Sequence, residues 1–115
     1  MKKLKYSPNS IEKLHEIKRE ITEKYGYETA KRVMKEMTKS FRELQQFENK
    51  GPLVESVIGV PCDYRFLYVQ HNYAFYYIQD DTIWIVDIYN EKEDFMWKLF
   101  GIKTTLQETE DYWGE

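Results

Sequence analysis

Apolar and polar positions alternate most densely between residues 64 and 102. Three runs of β-branched and aromatic residues, 64–70, 73–79 and 82–89, are separated only by His71-Asn72 and Asp80-Asp81, pairs of turn-forming residues. Connections that short make neighbouring strands antiparallel, so the pattern predicts a three-stranded meander. The chain then passes through Asn90-Glu91-Lys92-Glu93-Asp94 into an amphipathic segment, 95–100, predicted to form a short C-terminal helix stopped near Gly101.

Upstream the period changes. Residues 3–6 read as a short strand. Ser7-Pro8 supplies an N-cap side chain followed by proline at the first helical position, where its missing N–H costs nothing. Ile11, Leu14, Ile17, Ile21 and Tyr25 then recur every three or four residues, predicting a helix over 8–25 with one apolar stripe, ended by Gly26 as a left-handed C-cap. A second helix is predicted over 28–47, with Ala30, Val33, Met34, Met37, Phe41 and Leu44 on one face. Joined by so short a turn, the two stripes pack as an antiparallel hairpin. Residues 49–63, with Gly51-Pro52 and Gly59-Val60-Pro61, read as an irregular connection holding a brief extended piece. Neither half can bury a core alone, so the prediction is one α+β domain over 1–115, its helical hairpin packed on one side of an antiparallel sheet. Ile17, Val33 and Met37 are then buried. The acidic, aperiodic tail 104–115 is predicted to fray.

Composition adds exclusions. A hydrophobic fraction of 42% and ten tyrosines argue for a folded chain. Cys62 is the only cysteine and His15 and His71 are the only histidines, so no internal disulfide and no zinc-ligand spacing arise; no metal or cofactor is expected. Without an apolar leader or long apolar run, the chain reads as a bacterial-type cytoplasmic protein with no membrane partner. The net charge of −3 conceals a division: residues 1–50 carry 13 Lys/Arg against 8 Glu, whereas 51–115 carry 4 against 12 Asp/Glu. The basic charge lies on the helices, where it reads as solvated faces. The acidic sheet half disfavours simple nucleic-acid binding there.

Candidate chemistry centres on Arg65. Tyr64, Phe66 and Tyr68 point to one face of their strand, and Arg65, Leu67 and Val69 to the other, making Arg65 the odd member of an apolar row. A guanidinium there can grip a phosphate bidentately. It can equally snorkel past the core or pair with an acid such as Asp87. The helix-free face of the sheet is expected to form a concavity for a partner. His71 reads as a hairpin residue rather than a general base.

The segments Lys3-Leu4-Lys5-Tyr6-Ser7-Pro8, Tyr25-Gly26-Tyr27-Glu28-Thr29-Ala30, Tyr64-Arg65, Asn72-Tyr73-Ala74-Phe75-Tyr76, Lys92-Glu93-Asp94-Phe95 and Leu99-Phe100-Gly101-Ile102 resemble the RelE/ParE superfamily of toxins from bacterial type II toxin–antitoxin modules, over most of residues 1–103. The resemblance implies first a RelE-like, metal-independent endoribonuclease that cleaves mRNA on the ribosome through attack of a 2′-hydroxyl. Carried onto this sequence, Arg65 and Lys92 would hold the phosphate, and Tyr77, Tyr89 or Glu93 would handle protons. The chain departs from that pattern where Tyr73-Ala74-Phe75-Tyr76-Tyr77 lacks the arginine of a Tyr-Arg-x-x-Tyr strand. It departs again where Lys92 is flanked by Glu91, Glu93 and Asp94, each repelling a phosphate by about 1 kcal/mol near a wet surface. The alternatives are a ParE-like toxin that acts on DNA gyrase without cleaving RNA, and a diverged inactive member kept for its antitoxin. All three imply a cognate antitoxin, received by aromatic surface at Phe95, Trp97, Phe100, Tyr112 and Trp113, and allow a homodimer or a heterotetramer with the antitoxin.

Overall fold

The computed structural model describes residues 1–58 and 62–93. The elements are β1 (Lys3–Tyr6), α1 (Pro8–Tyr25), α2 (Tyr27–Glu43), a one-turn helix α3 (Glu55–Ile58), β2 (Arg65–Val69), β3 (Asn72–Gln79) and β4 (Thr82–Asn90). The predicted α+β architecture is present, two helices packed on a four-stranded sheet. Some details differ. The sheet is mixed, because β1 pairs parallel to β4 in the order β1-β4-β3-β2. The second helix closes at Glu43, and the connection after it contains α3 as well as a bridge between Leu53 and Arg65. The predicted C-terminal helix, the tail and the aromatic set from Phe95 to Trp113 lie outside the described residues.

Local chemistry explains the start of the chain. Ser7 Oγ accepts the Ser10 N–H at 3.0 Å, and Pro8 stands at the first helical position. Gly26 alone joins the helices. Its φ of 96° and ψ of 163° lie in a region open essentially only to glycine, not in the left-handed helical well. The meander turn is Gln70-His71, one residue earlier than its predicted place, with φ of 50° and 64°, the double positive-φ geometry of a two-residue hairpin. Asp80-Asp81 forms the second turn as predicted, between paired Gln79 and Thr82.

Between Phe75 and Tyr76 the β3–β4 register slips, leaving Val86 as an extra residue on β4. Such a bulge resets which side chains face which layer. Ile83, Ile85 and Ile88 join Met37, Phe41, Leu44, Leu67, Ala74 and Tyr76 in the core beneath the helices. Met37 is fully buried, while Ile17 and Val33 are half-buried at its margin. Ile11 and Tyr25, assigned to the α1 stripe from their spacing, are instead exposed, and Ser10 is the fully buried residue. The opposite face of the sheet is not bare. Val54, Phe75 and Tyr89 form a second buried cluster there, with Cys62, Tyr64, Phe66, Tyr73 and Val86 packed around it.

β1 is short. It covers β4 only from Thr82 to Ile85, and an uncovered strand edge leaves carbonyls without donors. The start of the helix supplies them beyond Ile85: Ser7 Oγ donates to Val86 O at 2.7 Å and Lys13 Nζ to Ile88 O at 3.1 Å, while Ser10 Oγ donates at 3.1 Å to Ile85 O, which also takes the Ser7 N–H at 2.9 Å. Spacing of three residues places all three on one side of the helix.

Candidate functional site

Polar side chains gather where β4 ends beside α1. Lys13 Nζ lies 3.6 Å from Asp87 Oδ1 and 4.0 Å from the centre of the Tyr89 ring. The same Asp87 oxygen accepts the Ile88 N–H at 2.8 Å. Burial pushes the Tyr89 phenol far up, and its hydrogen bond to Asp87 and the charges of Asp87 and Glu93 push it the same way. A phenol so placed stays protonated at neutral pH and cannot act as a general base.

The turn after β4 is capped from within: Glu93 Oε2 accepts the Asn90 N–H at 2.8 Å, and Asn90 Oδ1 accepts the Lys92 N–H at 3.0 Å. Across from it, Tyr68 donates to Glu91 Oε2 at 2.6 Å, and His71 Nδ1 lies 2.9 Å from Glu91 Oε1. The hydrogen bond from Tyr68 is the main reason the Glu91 carboxyl sits below its ordinary range. Among the described residues no three His, Cys, Asp or Glu side chains converge as metal ligands would.

Of these groups Lys13, His71, Asn90, Glu91, Lys92 and Glu93 line an open groove of about 890 Å³ between the helical hairpin and the end of the sheet. Its apolar lining comes from Ile17, Ile21, Val33 and Ile88. Its charged lining holds four carboxylates, Glu16, Glu20, Glu91 and Glu93, against Lys13, Lys24 and Lys92. Lys13 is already matched by Asp87. An apolar strip with a net acidic rim suits a protein segment carrying apolar anchors, and it disfavours a phosphate.

Of the five residues carried over from the resemblance, the structure brings Lys92, Glu93 and Tyr89 to this end of β4. Arg65 lies elsewhere. It pairs with Tyr76, which pairs with Ile85, five residues before Asn90, so about 16 Å of strand separates it from the turn. Its guanidinium is half-buried on the helix side and donates through Nη1 to Gly51 O at 2.8 Å. There it joins the buried Tyr76 hydroxyl, which accepts the Gly51 N–H and donates to Glu48 O, both at 2.9 Å. Its protein partner in this arrangement is a loop carbonyl and not Asp87. Tyr77 stands opposite Trp84 on the other face, edge-on to Tyr64 at 6.0 Å. Lys13 and the Tyr68–His71–Glu91 cluster did not emerge from the sequence. The available signal for Lys13 was the Ser7, Ser10, Lys13 spacing opposite Asp87, a lone acid in an apolar strand.

The family model described as "ParE toxin of type II toxin-antitoxin system, parDE" matches residues 4–95. Among solved structures, a chain from the chromosomal ParDE TA system of P. aeruginosa is similar in fold. It has a TM-score of 0.66 at 24% identity, covering 78% of this chain and 96% of that one. No curated protein matches the chain.

Proposed function

The chain belongs to the ParE family of type II toxins, and from that membership we propose that it acts by binding DNA gyrase rather than by cutting mRNA. One observation carries the choice between the two: Arg65, the cation on which a nuclease reading depends, holds the Gly51 carbonyl and stands about 16 Å of strand away from the turn that carries Lys92. A ribonuclease of this fold works by preorganised positive charge around one phosphate. Here the cations are dispersed and the groove rim is acidic. The endoribonuclease reading, placed first on the resemblance alone, gives way to the gyrase reading on these grounds. No helix among the described residues is long and apolar enough to cross a membrane.

The partner that neutralises the toxin is a cognate antitoxin. The groove between the hairpin and the sheet end has the chemistry to receive its segment, with Ile17, Ile21, Val33 and Ile88 as the apolar contact. The deciding experiment adds purified protein to gyrase supercoiling reactions and, in parallel, to ribosomes translating a defined mRNA. Inhibited supercoiling with intact mRNA is the expected result. Cleaved mRNA with unaffected supercoiling would restore the nuclease reading, and no effect in either would mark an inactive member.

A further inference from the structure

The two helices treat their solvent sides differently. On α1 the exposed charges are balanced, Lys18, Arg19 and Lys24 against Glu12, Glu16, Glu20 and Glu23, the usual pattern of a solvated face. On α2, Lys31, Lys35, Lys39 and Arg42 follow one another at intervals of four, four and three residues, and all are exposed. That spacing stacks them in a single row. Neighbours in the row carry like charge, which weakens a helix unless something outside it compensates. Among the described residues, none of the four lies within 4.0 Å of a carboxylate. Glu28 precedes the row, and Arg32 and Glu36 lie beside it; Glu43, four residues after Lys39, is bound to Lys50 at 2.8 Å and also feels the Lys39 charge.

We propose that this outer face of α2 is a docking surface for the phosphate backbone of duplex DNA. Twelve residues of helix, Lys31 to Arg42, carry the row over about 17 Å, long enough for its four cations to follow successive phosphates of one strand. An exposed ring, Tyr27, stands four residues before Lys31 and offers a base a stacking surface, so charge and length by themselves suit any polyanion. The choice of duplex DNA rests on the gyrase reading, since a toxin on gyrase works beside the duplex that gyrase holds. The acidic groove lies between the hairpin and the sheet, so the row and the groove can be occupied together.

The test measures binding of the full chain to a fluorescent 20-base-pair DNA duplex between 50 and 200 mM salt, without gyrase. Four phosphate contacts give a log–log salt slope of about −3.6, or about 150-fold weaker binding across that range. Lys35→Gln with Lys39→Gln should bring the slope to about −1.8, while Arg19→Gln on α1 should leave it unchanged. Lys31→Gln with Arg42→Gln, at the row's ends, repeats the measurement independently should the first pair misfold. No binding by the parent chain at 50 mM salt, an unchanged slope in the variants, or equal affinity for single-stranded DNA or duplex RNA would overturn the proposal. Because gyrase is absent, these outcomes are separate from the supercoiling assay: DNA binding without gyrase inhibition refutes only the gyrase reading, and the reverse refutes only the docking surface.

Discussion

Arg65 and Gly26 show how differently single residues can be read. Alternation placed Arg65 correctly on the face it shares with Leu67 and Val69, but its partner is a backbone carbonyl fourteen residues earlier. No side-chain type announces such a partner, so the sequence left phosphate and protein as equal candidates. With the charged hydrogen bond to Gly51 lost, Arg65→Ala should destabilise the fold by about 1.5–3 kcal/mol, lowering the melting temperature by several degrees, while growth arrest by the expressed protein persists. A variant that melts like the parent yet no longer arrests growth would return Arg65 to the site. Gly26 was legible as a helix end, because a glycine between two apolar stripes has few other uses. Its actual conformation is more restrictive than the left-handed cap. A Cβ there meets nothing within 4 Å, so Gly26→Ala is expected to cost about 1–3 kcal/mol through backbone strain alone, measurable by urea denaturation. An unchanged midpoint would mean that the joint relaxes freely.

At the level of elements, the helices and the meander could be read because their signals are local: a stripe, a capping Ser-Pro pair, a two-residue turn. The parallel pairing of β1 with β4, the bulge at Val86 and the one-turn α3 could not, since each depends on residues far apart in the chain. The same non-locality hid the contact that fastens α1 to the sheet edge. Ile11 and Tyr25 satisfy the helical period, yet the side that meets β4 begins with Ser7, Ser10 and Lys13, because the strand edge needs hydrogen-bond donors there. Asp87 has a side chain only 9% exposed and depends on Lys13 for its counter-charge. Removing one member of such a pair leaves the other uncompensated, so Lys13→Ala should cost about 3 kcal/mol. Adding Asp87→Ala to that variant should recover part of the loss, since a neutral pocket no longer holds a stranded charge. Chemical denaturation of the two singles and the double gives the coupling directly; additive losses would show that the ion pair does not join helix to strand.

For the molecule as a whole, the sheet divides two packed layers, and tyrosines take part in both. Tyr6 packs against the core beneath the helices, Tyr76 is buried within it, and Tyr89 is buried in the opposite cluster. Burial is the largest cause raising each of these phenols above the ordinary 10.0. A group whose pKa is raised by folding contributes stability that is complete below its unfolded value and is lost as pH rises, because only the unfolded chain then releases the proton. The loss should therefore begin near pH 10, at up to about 1.4 kcal/mol per pH unit for each phenol still protonated in the folded state. Heating the protein at a series of pH values from 8 to 11.5, while following phenolate absorbance, should show a falling midpoint and a late absorbance step that coincides with unfolding. Tyr89→Phe removes one contributor and should make the decline shallower. If all tyrosines ionise before the chain unfolds, the two layers are open to hydroxide and the sheet does not seal them.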